Sequence, residues 1–278
     1  MFGKLMKYEL RYLIRIFAPM WAVVLSLCVL SRLVLRPDVE GMMYVEGTEA
    51  IIPVLVVMLA VFSILTMMIV STVVLLMRFY KGMYGDEGYL MFTLPVTSGE
   101  LIHSKALSAM IMMIGTELLT FAGVMVMISY PEVWGELGMT FREMFRMLLE
   151  MNGLNGLEFI VLSVWTIVVG LLSTAQGIYM VYLAISLGQL WKKHPVAGAI
   201  VAYYLMMSVL GVIQTLAGQL FGESALEVLA DLIGMDSSGN YGAIMAVVLM
   251  AMSVYAIILS VVSFVGTKLI LDKKLNIQ

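Results

Sequence analysis

Arg78 to Lys105 reads RFYKGMYGDEGYLMFTLPVTSGELIHSK. It is a short polar insertion between two long, almost uncharged apolar runs, Ile51 to Met77 and Ala106 to Ile128. About 20 apolar residues suffice for a helix to cross a bilayer, so the insertion is expected to be a loop at a membrane surface. Gly85-Asp86-Glu87-Gly88 opens a short segment, Tyr89-Leu90-Met91-Phe92 gives it an apolar face, and Leu94-Pro95 stops it. Thr97-Ser98-Gly99-Glu100 then forms a capping box, in which the Thr97 hydroxyl accepts from the Glu100 amide and the Glu100 carboxylate reaches back. Two readings fit a short acidic and aromatic helix at this place. It is a docking element for a soluble partner, or a connector lying on the headgroups.

The same reading extends along the chain. Of 278 residues, 62% are hydrophobic and 13% charged, where a soluble domain carries about 25% charge. Mean hydropathy is +1.02. Six spans are expected: Ile16–Leu35, Ile51–Met77, Ala106–Ile128, Phe159–Leu187, Val196–Leu220 and Ala243–Thr267. Residues 1–278 thus form a single transmembrane domain of all-α class, a polytopic helical membrane protein. Ahead of the first span, Lys4, Lys7, Arg11 and Arg15 punctuate Phe2, Leu5, Met6, Leu10 and Leu13. Residues 1–15 are therefore expected to form a basic amphipathic helix in the headgroup region, before the chain turns into the bilayer.

Basic residues set the expected orientation. With six spans, Lys4, Lys7, Arg11, Arg15, Arg78, Lys81, Lys105, Lys192, Lys193, Lys268, Lys273 and Lys274 fall on one side. Arg32, Arg36, Arg142 and Arg146 fall on the other, and together these are all 16. Both termini and the 78–105 loop are then cytoplasmic, in a multi-pass protein of the cell membrane. On the outer side, Thr140-Phe141-Arg142-Glu143 and Ser224-Ala225-Leu226-Glu227 are two further capping boxes. Each is expected to start a short helix lying flat on the membrane, either a lid or a closure of neighbouring spans.

Chemistry-bearing patterns are scarce. His103 and His194 have no ligand-spaced His or Cys, and the single Cys28 sits in an apolar run as a lipid- or helix-facing residue. No G-x-x-x-x-G-K-[ST], G-x-S-x-G or H-E-x-x-H occurs. No catalytic residue, metal site or cofactor is expected, and Lys192-Lys193-His194 is too short to bind nucleic acid. Within the spans Glu117 is the outlier, because an acid at mid-depth costs roughly 2.5–3.5 kcal/mol on insertion scales. It either lines a transport path or fixes helix packing, with Gln176 and Gln214 as candidate hydrogen-bond partners. Gly170, Thr174, Gly177, Ala184 and Gly188 share one face of the fourth span. Such a small-residue stripe reads as a helix–helix contact, with a substrate groove as the second reading. Tyr179, Tyr182, Trp191, Tyr203 and Tyr204 are ordinary residues, and for the several that sit near span ends interfacial anchoring is a sufficient explanation.

Six spans, a basic N-terminal helix and a loop reading YGDEGYLMFTLPVTSGELIHSK together resemble the permease subunits of bacterial ABC-2 type ABC transporters. In that family an acidic residue, an LP-[VI]-[ST] element and a Lys at the start of the third span recur. Here they are Glu87, Leu94-Pro95-Val96-Thr97 and Lys105. The resemblance implies that Asp86, Glu87, Tyr89, Leu90, Phe92, Leu94 and Pro95 form a coupling helix. That helix would fit a groove on a separate ATP-binding subunit. The family reading makes the chain the non-enzymatic half of an exporter, paired with a second copy or a related permease. The alternative is a membrane adaptor or sensor that docks a soluble partner without transporting anything.

Overall fold

The computed structural model describes residues 2–34, 51–85, 87–88, 95–129, 134–135, 138–140, 142–143, 146, 156–191, 193–232 and 241–275. For 217–218, 220–232, 241, 243–244 and 274–275 it describes the backbone alone. Among the described residues six long helices carry the fold: α1 (Phe2–Val34), α2 (Ile51–Tyr84), α3 (Ser98–Met127), α4 (Gly156–Gly188), α5 (Pro195–Leu232) and α6 (Tyr241–Leu275). No strand occurs among the described residues. All six are long and apolar enough to cross a membrane, and the chain is an all-α polytopic membrane protein. In hydrocarbon each backbone amide must find its partner inside its own segment, which a helix alone achieves for a single span. Large apolar side chains such as Leu33, Ile52, Ile69, Leu118, Leu157 and Ile167 stay exposed, as lipid-facing residues do.

Within the transmembrane domain expected over 1–278, the helices group into two compact units, Met1–Arg142 and Glu143–Gln278. In the first, α1 buries Glu9, Leu13, Phe17, Val24, Cys28 and Ser31, a single stripe at steps of three, four or seven. The contacts of this stripe with α3 keep a nearly constant offset. Glu9 meets Lys105 at a separation of 96 residues, Trp21 Nε1 donates to Thr116 Oγ1 at 95, and Arg32 Nε donates to the Ser129 carbonyl at 97. Helices in such register run parallel, and α2 supplies the return crossing between them. Val24 and Cys28 of α1 meet Ile64 and Met67 of α2 in the core, with Met20, Trp21 and Met127 around them. Cys28 is fully buried, its sulfur 3.0 Å from where a Cβ on Gly123 would stand. It faces a helix rather than lipid.

The second unit repeats this internal plan. Trp165 Nε1 of α4 donates to Ser253 Oγ of α6 at 3.1 Å. Further along, Tyr179 meets Phe264 edge to face with ring centroids 6.1 Å apart. Gly266 lies against Leu183, so α4 and α6 are also parallel. α5 is joined to α4 by a tight turn in which Trp191 N donates to the Gly188 carbonyl. Pro195 opens α5, where its missing N–H costs nothing.

Three expectations change. The basic segment 1–15 and the first span are one continuous helix, with Pro19 inside it and no turn near residue 15. Its Leu5-Glu9-Leu13-Phe17 row packs inward while Lys4, Lys7, Arg11 and Arg15 stay exposed. The Ser224 capping box starts no helix, because α5 runs unbroken through Leu232. A Ser-x-x-Glu pattern caps only where the Ser backbone is non-helical. Tyr182 is 2% exposed and belongs to the core of the second unit rather than to an interfacial belt. The helix expected from Thr140 falls largely outside the described residues.

The small-residue stripe of α4 divides along its length. A Cβ on Gly170 or Gly177 would meet nothing, while Ala184 is buried and Gly188 is packed against the backbone of Pro195 and Ala199. Backbone cannot rotate away as a side chain can. Gly188→Ala is therefore expected to lower stability by about 1–3 kcal/mol through overpacking, whereas Gly170→Ala should be near neutral. Thermal unfolding of the two variants in one detergent checks the contrast.

Candidate functional site

At one end of the first unit, charged groups from three helices and the following loop converge where the apolar runs begin. Glu9 of α1 is 4% exposed and Lys105 of α3 likewise 4%. Arg78, in the last two turns of α2, reaches Glu9 twice, Nε to Oε2 at 2.8 Å and Nη2 to Oε1 at 3.2 Å. Lys105 Nζ donates to the same Glu9 Oε1. The remaining arm of the guanidinium, Nη1, donates to Glu87 Oε2 of the loop at 2.7 Å. Tyr12 stacks under the guanidinium, 4.1 Å from ring centroid to Cζ. Two carboxylates and two cations balance, so the cluster is neutral overall.

Local sequence builds this geometry. Thr97 sits in extended conformation (φ −75°, ψ 150°) and its hydroxyl accepts from Glu100 N at 3.3 Å, while Thr97 N donates to Glu100 Oε2 at 3.0 Å. The expected capping box is thus present. It fixes the first turn of α3 and with it the position of Lys105. Gly82 opens the space that Lys105 occupies, since a Cβ there would lie 3.0 Å from Lys105 Cε and closer still to Nζ. The turn after α2 closes through Gly85 N, which donates to the Tyr80 and Lys81 carbonyls, and Gly88 N, which donates to Gly85 O at 2.8 Å. Side chains at these two glycines would collide with the Lys81 and Met83 carbonyls at 2.9 Å. That collision gives the Gly-Asp-Glu-Gly pattern its physical reason.

Magnitudes separate the parts of the cluster. Glu87 is half exposed, with side-chain accessibility of 52%, against 15% for Arg78 and 5% for Glu9. An exposed pair contributes about 0–1 kcal/mol. Removing one member of a buried pair costs about 3–5 kcal/mol, because its partner stays charged and unpaired. Interhelical hydrogen bonds such as Trp21–Thr116 average only about 0.6 kcal/mol in membranes. Glu9 therefore holds the three helix ends together, and Glu87 is tied to them by a weak, reversible strap.

Of the coupling residues expected from sequence, Glu87 and Pro95 are described; Asp86, Tyr89, Leu90, Phe92 and Leu94 lie outside the described residues. Glu87 is engaged by Arg78 rather than presented solely to a partner. Lys105, matched by the LP-[VI]-[ST] resemblance, is a buried structural cation. Sequence reasoning passed over Glu9. Its signal was available: it is the first acid in the chain, with none following before Asp38, and it interrupts the apolar row Leu5, Leu13, Phe17.

Glu117 faces a groove of about 390 Å³ between α2 and α3 and is itself exposed. Gln176 is half-buried and donates to Met180 Sδ one turn along at 3.7 Å, and Gln214 is exposed on α5. Among the described residues, no group of three or more His, Cys, Asp or Glu is placed to hold a metal ion. No known protein family, curated protein or solved structure matches the chain.

Proposed function

We propose that the chain is the membrane-spanning subunit of an ABC-type exporter, with both termini and the 78–105 loop in the cytoplasm and ATP hydrolysis in a separate chain. The carrying observation is the path of charge from loop to helices. Glu87 is held by Arg78, Arg78 by Glu9, and Glu9 also by Lys105. A body docked on the loop would pull on the ends of α1, α2 and α3 together. Nucleotide-driven closure of an ATP-binding dimer would then bias two arrangements of the helices. The loop's likeness to ABC-2 permeases and the one-sided basic residues support the same reading.

The direct test is purification of the chain from its native membrane in mild detergent, with mass identification of what accompanies it. A P-loop ATPase in stoichiometric amount is the expected companion; its consistent absence refutes the proposal. Orientation is checked by labelling intact cells with an impermeant maleimide. Cys placed at Glu46 or Ser237 should be modified and Cys at Lys81 spared. Lys81 is the better inner probe than Gly85, where any side chain meets the Lys81 carbonyl. Native Cys28 is fully buried and gives no background. Modification at position 81 from outside would reverse the topology and remove the docking loop from the cytoplasm.

A further inference from the structure

The α2–α3 groove collects polar groups at a depth where lipid offers them no partner. From Lys105 to Glu117, α3 rises roughly 18 Å at about 1.5 Å per residue. Exposed Arg15, level with Ile111 by the α1–α3 offset of 96, marks the headgroup edge on that side, and Glu117 lies about 9 Å inside it. Beside Glu117 the groove is lined by Ser71 and Thr120. Both hydroxyl oxygens are buried and have no hydrogen-bond partner, and Ser71 is only 3% exposed. Neighbouring hydroxyls behave differently: Thr72 donates to the Met68 carbonyl at 3.0 Å and Thr116 to the Met112 carbonyl at 2.9 Å. Among the described residues, three buried side-chain polar atoms lack a partner, and two of them belong to residues that line this groove. Helical hydroxyls satisfy themselves on the preceding turn with ease, so this pair is set apart.

Met68, Met113 and Phe121 line the groove as well. Thioethers and an aromatic ring are adaptable, polarisable surfaces, and an aromatic face attracts cations. A volume of about 390 Å³ falls within the usual range for small-ligand pockets. No Lys or Arg lines the groove, so a counter-charge for Glu117 comes from elsewhere. We propose that the groove binds a small amphipathic organic cation beside Ser71 and Thr120, with its charge at Glu117 and its apolar groups against Met68, Met113 and Phe121. As the substrate class of an exporter this rests on the function proposed above; as a binding site it stands by itself.

The test uses the purified full chain in lipid nanodiscs, with no partner present. Tetraphenylphosphonium is titrated, and binding to empty discs is subtracted. Saturable binding is expected, weakened about tenfold or more by Glu117→Gln and less by Thr120→Val. Tetraphenylborate, of the same shape and opposite charge, should show no saturable component. Met113→Trp fills the groove from its apolar side and should abolish binding with Glu117 intact, which covers the case of a Gln variant that folds poorly. The proposal is overturned if the wild type shows no saturable binding. It is equally overturned if Glu117→Gln and Met113→Trp bind as the wild type does, or if the borate binds as well as the phosphonium. Glu117-dependent binding without any co-purifying ATPase would support the groove and refute the exporter. A co-purifying ATPase with no binding would do the reverse.

Discussion

Glu9→Gln is expected to destabilise the Met1–Arg142 unit by about 3–5 kcal/mol, more than any other single polar change in the cluster. The substitution keeps size and shape but leaves Lys105 and Arg78 facing a neutral amide in a site where Glu9 and Lys105 are both 4% exposed. Lys105→Met should also destabilise, by less, because Arg78 still neutralises Glu9. The informative variant is the double one. With Glu9 and Lys105 both removed, Arg78 retains Glu87 and the buried charge is balanced again. The double variant should recover part of the loss, giving a coupling energy of about 2 kcal/mol, within the range for contacting residues. Thermal or denaturant unfolding of the four proteins in one detergent measures it. Additive single effects would mean that the two side chains do not share one electrostatic unit, and the description of Glu9 as the common anchor would fail.

The helical framework was legible because its signal is redundant. Each span is a run of apolar residues far longer than any turn, and every observed helix contains the core of the run that announced it. Ends were harder. Hydropathy marks where charges begin, not where the helix stops, so α1 and α2 continue through residues that read as loop or headgroup helix. The capping pattern at Thr97 could be read correctly because a turn, enforced by Pro95, precedes it. The same pattern at Ser224 misled because no such breaker stands before it and α5 runs through. Small residues told half the story on α4. Gly188 packs against backbone where the α4–α5 turn folds back, while Gly170 and Gly177 have no neighbour within reach.

The charge cluster was legible only in pieces. Arg78 and Lys105 were visible as topology signals and Glu87 as a loop acid, yet nothing local says that one carboxylate serves two cations. Glu9 lies 69 residues from Arg78 and 96 from Lys105. Such pairing depends on which helix faces which, and hydropathy has no term for that. The parallel register of α1 and α3, set by Trp21 on Thr116 and Arg32 on the end of α3, brings Glu9 level with Lys105. Gly82 then leaves room for the lysine. Glu117 was conspicuous from sequence, but its groove was not, because Ser71 and Thr120 are ordinary residues until their unpaired hydroxyls are seen beside it.

Glu87→Gln and Phe92→Ala are expected to fail in different ways, and the difference separates docking from transmission. Phe92 belongs to the apolar Tyr89-Leu90-Met91-Phe92 segment, and an aromatic anchor in a docking groove contributes about 2 kcal/mol or more. Its loss should weaken association with the proposed ATP-binding subunit roughly 30-fold. Glu87 instead straps the loop to Arg78, and its half-exposed pair contributes about 0–1 kcal/mol to stability. Glu87→Gln should therefore unfold close to the wild-type temperature and still co-purify with the partner. What it loses is the link from loop to helix ends, so stimulation of the partner's ATPase should fall about fivefold or more, the scale of a typical coupling free energy. Glu87→Arg sets a cation against Arg78, drives the loop off its strap, and should impair both association and stimulation. Co-purification yield, ATPase rate and melting temperature on the same preparations give the three readouts. If the Phe92→Ala, Glu87→Arg double variant assembles in full stoichiometry and stimulates ATP hydrolysis normally, the 78–105 loop is not the coupling element. The charge path from Glu87 to Glu9 is then a structural brace alone.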